Sequence, residues 1–173
     1  MAKNCVILLI RHAEKPEFGE GLSAKGQRHA EAYVGFFERY HVGAQPLKIQ
    51  ALFAATDTKS SFRPRLTLAP LSHALSIPIN TEFADKETDA LVAHLKKKGS
   101  NNEGIVVCWK HGQIMALANA LVGDPAALPK QAHWPVEWNE DTYDRVLQIA
   151  YGPNGALDLA NTYCIEHPTL EGS

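Results

Sequence analysis

Two apolar runs in this sequence end the same way. Val6–Ile10 stops at Arg11-His12, and Ile105–Trp109 stops at Lys110-His111. Each ending joins an imidazole to a permanent cation. Such groups are costly to bury without a partner, so a hydrophobic run that delivers them to one place implies a ligand there. Two histidines and an arginine that converge form a site for an anion. Phosphate is the natural tetrahedral candidate, because the planar guanidinium grips its oxygens two at a time. Arg63, in the stretch SSFRPRLT, is a third contributor. It precedes Pro64 at an expected helix start, where free N–H groups and the helix dipole favour anions.

The elements that must carry these residues follow from periodicity. Val6–Ile10 and Ile105–Trp109 are short, continuous and rich in β-branched residues, as buried strands are. Between them, GLSAKGQRHAEAYVGFFERY predicts a helix with Ser23 as N-cap and Ala30, Val34 and Phe37 on its inner face. A strand is expected over Lys48–Thr56. A helix should start near Pro64 and a short strand lie near Ile79. A further helix in DKETDALVAHLKKKG turns Leu91, Val92 and Leu95 inward and ends in Lys96–Lys98 before Gly99. QIMALANALVG follows as a helix. DPAALPKQAHWPVEW reads as a loop, and the last third as an antiparallel hairpin around Gly152-Pro153-Asn154-Gly155. Strands that alternate with helices imply an α/β three-layer sandwich: a mostly parallel sheet, helices on both faces, and the C-terminal hairpin at one side. Ligands of such sheets bind outside the carboxyl ends of the strands, where Arg11-His12 and Lys110-His111 stand.

The chain has 173 residues, 45% of them hydrophobic, which fits a single domain over residues 1–173. A formal net charge of −2 argues against nucleic acid as a partner. The N-terminal apolar run is too short to span a membrane and has no signal-cleavage pattern. Cys5, Cys108 and Cys164 are odd in number and widely spaced, so no disulfide framework or zinc site is expected. A cytoplasmic location is the simplest expectation.

The segments together resemble a known family. LIRHAEKP is similar to the signature of the histidine phosphatase (phosphoglycerate mutase-like, RHG-motif) superfamily, with Ala13 in place of its usual glycine. GLSAKGQRHA resembles the family's L-[ST]-x-x-G-x-x-[QH]-A stretch. Arg63-x-x-x-Thr67 resembles its R-x-x-x-T segment. VVCWKHGQI resembles the strand before its second histidine, with Lys110 in place of a more usual serine. The matches run in family order from Val6 to about Leu121.

The resemblance implies a metal-independent phosphoric monoester hydrolase without a cofactor. His12 would be the nucleophile that forms a phosphohistidine, and Arg11, Arg63 and His111 would hold the phosphoryl oxygens. A neutral imidazole needs no base to attack phosphorus, and prepositioned cations stabilise the transition state. The family often has an acid after the second helix; Asp85 is the first candidate and Glu82 the second, with Glu87 and Glu14 further carboxylates. The substrate would be a phosphorylated small molecule or a phosphohistidine protein, with inorganic phosphate as product. The alternative is a phosphate- or phosphopeptide-binding module that has lost catalysis.

Other residues carry two readings each. Arg65 could replace Arg63, but Pro64 and the spacing to Thr67 favour Arg63. Lys15 either widens the positive field or is simply solvated. Trp134 and Trp138 either rim the substrate site or anchor their loop to the core. His29, His41, His73, His94, His133 and His167 read as surface or helix residues, and Cys108 as packing.

Overall fold

The computed structural model describes residues 2–98 and 103–168. In chain order its elements are β1 (Cys5–Arg11), α1 (Ala24–Glu38), β2 (His41–Val42), β3 (Gln45–Pro46), β4 (Ile49–Ala54), α2 (Arg63–Leu75), β5 (Ile79–Asn80), α3 (Thr88–Lys98), β6 (Gly104–Trp109), α4 (His111–Val122), β7 (Arg145–Tyr151) and β8 (Tyr163–Glu166). Six strands form one sheet in the order β5-β4-β6-β1-β7-β8. β5, β4, β6 and β1 run parallel, whereas β7 is antiparallel to both β1 and β8. The expected mostly parallel sheet with an antiparallel C-terminal pair is therefore present. β2 and β3 form a separate two-stranded ribbon that the sequence reading did not include.

β1 lies inside the sheet because both of its faces are apolar. Ile7 and Leu9 share one buried core with Leu91 and Leu95 of α3 and with Ile114, Leu117 and Leu121 of α4. Leu8 and Ile10 share a second buried core with Tyr33 and Phe37 of α1 and with Leu68 and Leu71 of α2. The two-residue strand period thus sends alternate side chains into two separate cores, which gives the three layers.

The inner face of α1 differs from expectation. It holds Ala30, Tyr33 and Phe37, while Val34 is only half-buried. The Tyr33 ring stacks on Phe37 at 5.3 Å and on His29 at 4.6 Å, so the larger aromatic surface sets the helix rotation. The expected helix stop at Gly99 lies outside the described residues. Cys5, Cys108 and Cys164 are buried free thiols.

Candidate active site

Strand register brings the two basic doublets together. β1 and β6 pair without a shift from Val6↔Gly104 to Arg11↔Trp109. The next amide, His12 N–H, donates to the Trp109 carbonyl at 3.1 Å. Both strands therefore end level, and His111 opens α4 beside His12. No side chain caps that helix start, so its first amides join the local positive field. Arg63 opens α2 with Pro64 behind it.

Arg11, His12, Arg63, His111 and Asp85 line one cleft of about 310 Å³. Glu82 is exposed and does not line it. Lys15, Lys110, Ser60, Ser61, Gly112 and Gln113 complete the lining. Lys15 thus joins the cleft, where it also pairs with Glu140 at 3.1 Å. Lys110 faces Asp85 across 3.9 Å. Arg65 is turned elsewhere, paired to Asp57 at 2.9 Å.

The hydrogen bonds of His12 fix its chemistry. Its Nδ1 lies 2.8 Å from the Ala13 carbonyl. A carbonyl only accepts, so Nδ1 carries the proton and the neutral ring keeps its lone pair on Nε2. Burial lowers the His12 pKa to about 4, and the charges of Arg11, Arg63 and His111 push the same way against the Ala13 bond. His111 is also lowered, first by burial and then by Arg11.

This gives a prediction with a definite sign. Between about pH 6.5 and pH 4 the unfolded chain holds a proton on His12 that the native protein does not. Folding stability from this group therefore falls as the pH drops through that window. The imidazole, followed by nitrogen-resolved NMR, should stay neutral with the proton on Nδ1 down to about pH 5. A midpoint near 6.5 would contradict it.

The segments of the sequence motif have local reasons to exist. Thr67 Oγ1 accepts from Ala13 N–H at 2.8 Å and donates to the Arg63 carbonyl at 2.7 Å, so one hydroxyl joins the turn after His12 to the start of α2. The backbone at Ala13 is not in the left-handed region, and its methyl is buried without strain. Arg63 donates from Nε to the Gly21 carbonyl at 2.9 Å and from Nη2 to that of Gly19 at 2.6 Å.

Glu14 belongs to this scaffold and not to the cleft. Its carboxylate accepts from His29 Nδ1 at 3.0 Å, and its carbonyl accepts from Ser23 N–H at 2.9 Å. Glu87 accepts from Ala84 N–H at 2.7 Å and so shapes its own loop. His29 is therefore a helix residue, as one of its two readings had it, and within α1 it is a buried partner with 4% exposure. Gly26 lies so close to this turn that a Cβ would stand 2.3 Å from the Glu14 carbonyl oxygen. Gly26→Ala should lower stability by about 1–3 kcal/mol in urea unfolding, since backbone has to shift to admit the methyl.

One part of the site had no counterpart in the sequence reading. Arg11 is 1% exposed. Its Nη1 donates to the Glu140 carbonyl and, at 3.0 Å, to the Thr142 carbonyl, while the Tyr143 ring lies 3.9 Å from its guanidinium carbon. Nε has no partner. Trp138 Nε1 donates to Thr142 O at 2.8 Å and Trp134 Nε1 to Asn119 Oδ1 at 3.0 Å. Neither tryptophan lines the cleft, and both pack on the core. Among the described residues no cluster of histidine, cysteine or carboxylate has the makings of a metal site, and no helix is long and apolar enough to cross a membrane.

No family model matches this sequence, and no curated protein sequence does either. Solved structures do match in fold. One is the protein histidine phosphatase SixA in complex with tungstate, at 11% identity and a TM-score of 0.59, covering 93% of this chain and 96% of that one. Another is the mycobacterial glucosyl-3-phosphoglycerate phosphatase complexed with VO3, at 13% identity and a TM-score of 0.55, covering 98% and 99%. Phosphoglycerate mutase from Plasmodium falciparum matches at 12% identity and a TM-score of 0.53, covering 95% and 96%. The chain has the histidine phosphatase fold. Phosphatases and a mutase share it, so the histidine phosphatase fold supplies the frame and leaves the reaction to the side chains in the cleft.

Proposed function

We propose that this protein is a phosphatase that needs no metal and works through a covalent phosphohistidine on His12. One observation carries the reading: Arg11, His12, Arg63 and His111, drawn from three distant stretches of the sequence, line a single cleft, with the lone pair of His12 left on Nε2 by the Ala13 bond. In the first step Nε2 attacks phosphorus and the bond to the leaving group breaks, at oxygen for a phosphomonoester and at nitrogen for a phosphohistidine. Arg11, Arg63 and His111 hold the three equatorial oxygens as charge spreads over them. Asp85, the candidate carboxyl that lines the cleft, delivers the proton to the leaving group. In the second step the Asp85 carboxylate takes a proton from the water that attacks the phosphohistidine, the N–P bond breaks, inorganic phosphate is released, and neutral His12 and the Asp85 carboxyl are restored.

The substrate is a phosphomonoester or a phosphohistidine on a protein. The likeness to SixA supports the second of these. The fixed cations supply the charge stabilisation a divalent ion would otherwise give, and this is what makes the reaction metal-independent. The test is hydrolysis of an aryl phosphate by the purified chain with and without excess EDTA. Equal turnover is expected in both. Loss in EDTA that is restored by a divalent cation would contradict the proposal.

A further inference from the structure

A buried arginine usually faces a carboxylate. Arg11 does not: among the described residues its guanidinium meets two main-chain carbonyls and the face of one aromatic ring. These groups present negative dipole ends and carry no net charge. They hold the side chain still without a bonded carboxylate, while the charges of Glu140, Asp141 and Glu14 act on it only from a distance.

All three contacts come from residues 140–143, the run of chain that leads into β7. Register explains why. β7 is antiparallel to β1, and Val146 pairs with Ile10. The residues before Val146 therefore pass over the end of β1, where Arg11 and His12 stand. The run is itself anchored. Thr142 N–H donates to the Asn139 carbonyl at 3.1 Å, and Thr142 O accepts from the indole of Trp138, which is buried. Lys15 ties the Glu140 carboxylate from the cleft side.

Within this strap Tyr143 occupies a particular place. Its ring lies over the Arg11 guanidinium at 3.9 Å and meets the His12 imidazole edge-on, with centroids 6.1 Å apart and planes at 62°. One flat group thus touches both the nearest phosphate-binding cation and the nucleophile.

We propose that Tyr143 is a positioning residue: its ring fixes the plane of the Arg11 fork relative to the His12 ring, so that both meet one phosphoryl group in the geometry of attack. The ring acts through its face and edge, and the hydroxyl is not needed. The proposal rests on the reading of His12 as nucleophile.

The test compares Tyr143→Phe and Tyr143→Leu in the full chain. With an aryl phosphate, Tyr143→Phe keeps kcat within about threefold, because the ring is retained. Tyr143→Leu lowers kcat about tenfold or more with KM moved less than about threefold, since positioning acts on the transition state. Vanadate, which mimics five-coordinate phosphorus, weakens about tenfold in Tyr143→Leu, and inorganic phosphate only about threefold. A variant that merely folds poorly would lose active protein and leave the ratio of vanadate to phosphate affinity unchanged; that result overturns the proposal. So does a Tyr143→Phe as impaired as Tyr143→Leu, or a Tyr143→Leu like wild type. If the wild-type chain hydrolyses no phosphate ester, the reading of His12 fails. The phosphate dissociation constants then still test the hold on Arg11, and equal values for Tyr143→Leu and wild type would refute it.

Discussion

His12→Ala is expected to lose turnover of an aryl phosphate by about 10⁴-fold or more while keeping the fold and its affinity for phosphate. The scale follows from removing the atom that bonds to phosphorus, which no neighbour replaces. The retained affinity follows from geometry. Arg11 is held by Glu140, Thr142 and Tyr143, and Arg63 by Gly19 and Gly21, so neither depends on the imidazole for its position. The single ring bond of His12 is to Ala13 O, its own neighbour in sequence. Deleting the ring opens space towards the cleft and breaks no long-range contact by hydrogen bond. Steady-state kinetics, titration calorimetry with phosphate and circular dichroism check the three parts separately. A mutant with wild-type turnover would remove His12 from the chemistry.

Arg11→Lys has the second largest expected effect, a loss of about 10²–10³-fold in kcat/KM. The substitution keeps the charge and loses the plane. A guanidinium can donate to two carbonyls, stack on Tyr143 and hold its remaining N–H groups in one fixed plane. An ammonium on a flexible stem cannot do all of these at once. It would also leave carbonyls of the 140–142 run without their donor in a largely buried place. We therefore expect a drop of about 1–3 kcal/mol in unfolding free energy alongside the kinetic loss. Near-wild-type kcat/KM in Arg11→Lys would mean that charge alone matters there and that the stacked, forked geometry has no catalytic role.

The legible and illegible parts of this site differ for physical reasons. Val6–Ile10 and Ile105–Trp109 are apolar on both faces, and that pattern alone predicts interior parallel strands that deliver Arg11-His12 and Lys110-His111 to the same edge. Pro64 marks a helix start and so separates Arg63 from Arg65. Asp85 lies in a loop pinned to β6 by the Trp109 indole, which donates to its carbonyl at 3.0 Å. No periodicity announces such a bond, which is why Asp85 and Glu82 could only be ranked from sequence. The strap at residues 140–143 was hidden for a related reason. Two main-chain carbonyls have no side-chain signature, and their place over Arg11 depends on the pairing of β7 with β1, a contact between residues more than a hundred positions apart. The partner of His29 is not legible, because one histidine on a helix has no local sign of the carboxylate that meets it from another segment. The small β2–β3 ribbon is too short for any alternation to show.

The most direct measurement is capture of the intermediate. The chain is mixed with an aryl phosphate, quenched within its first turnovers in alkaline denaturant that preserves phosphoramidates, and digested for mass spectrometry. Phosphate on His12, absent in a control quenched before substrate, is the predicted result. Continued hydrolysis with His12 unmodified, or with phosphate on another side chain, would contradict it.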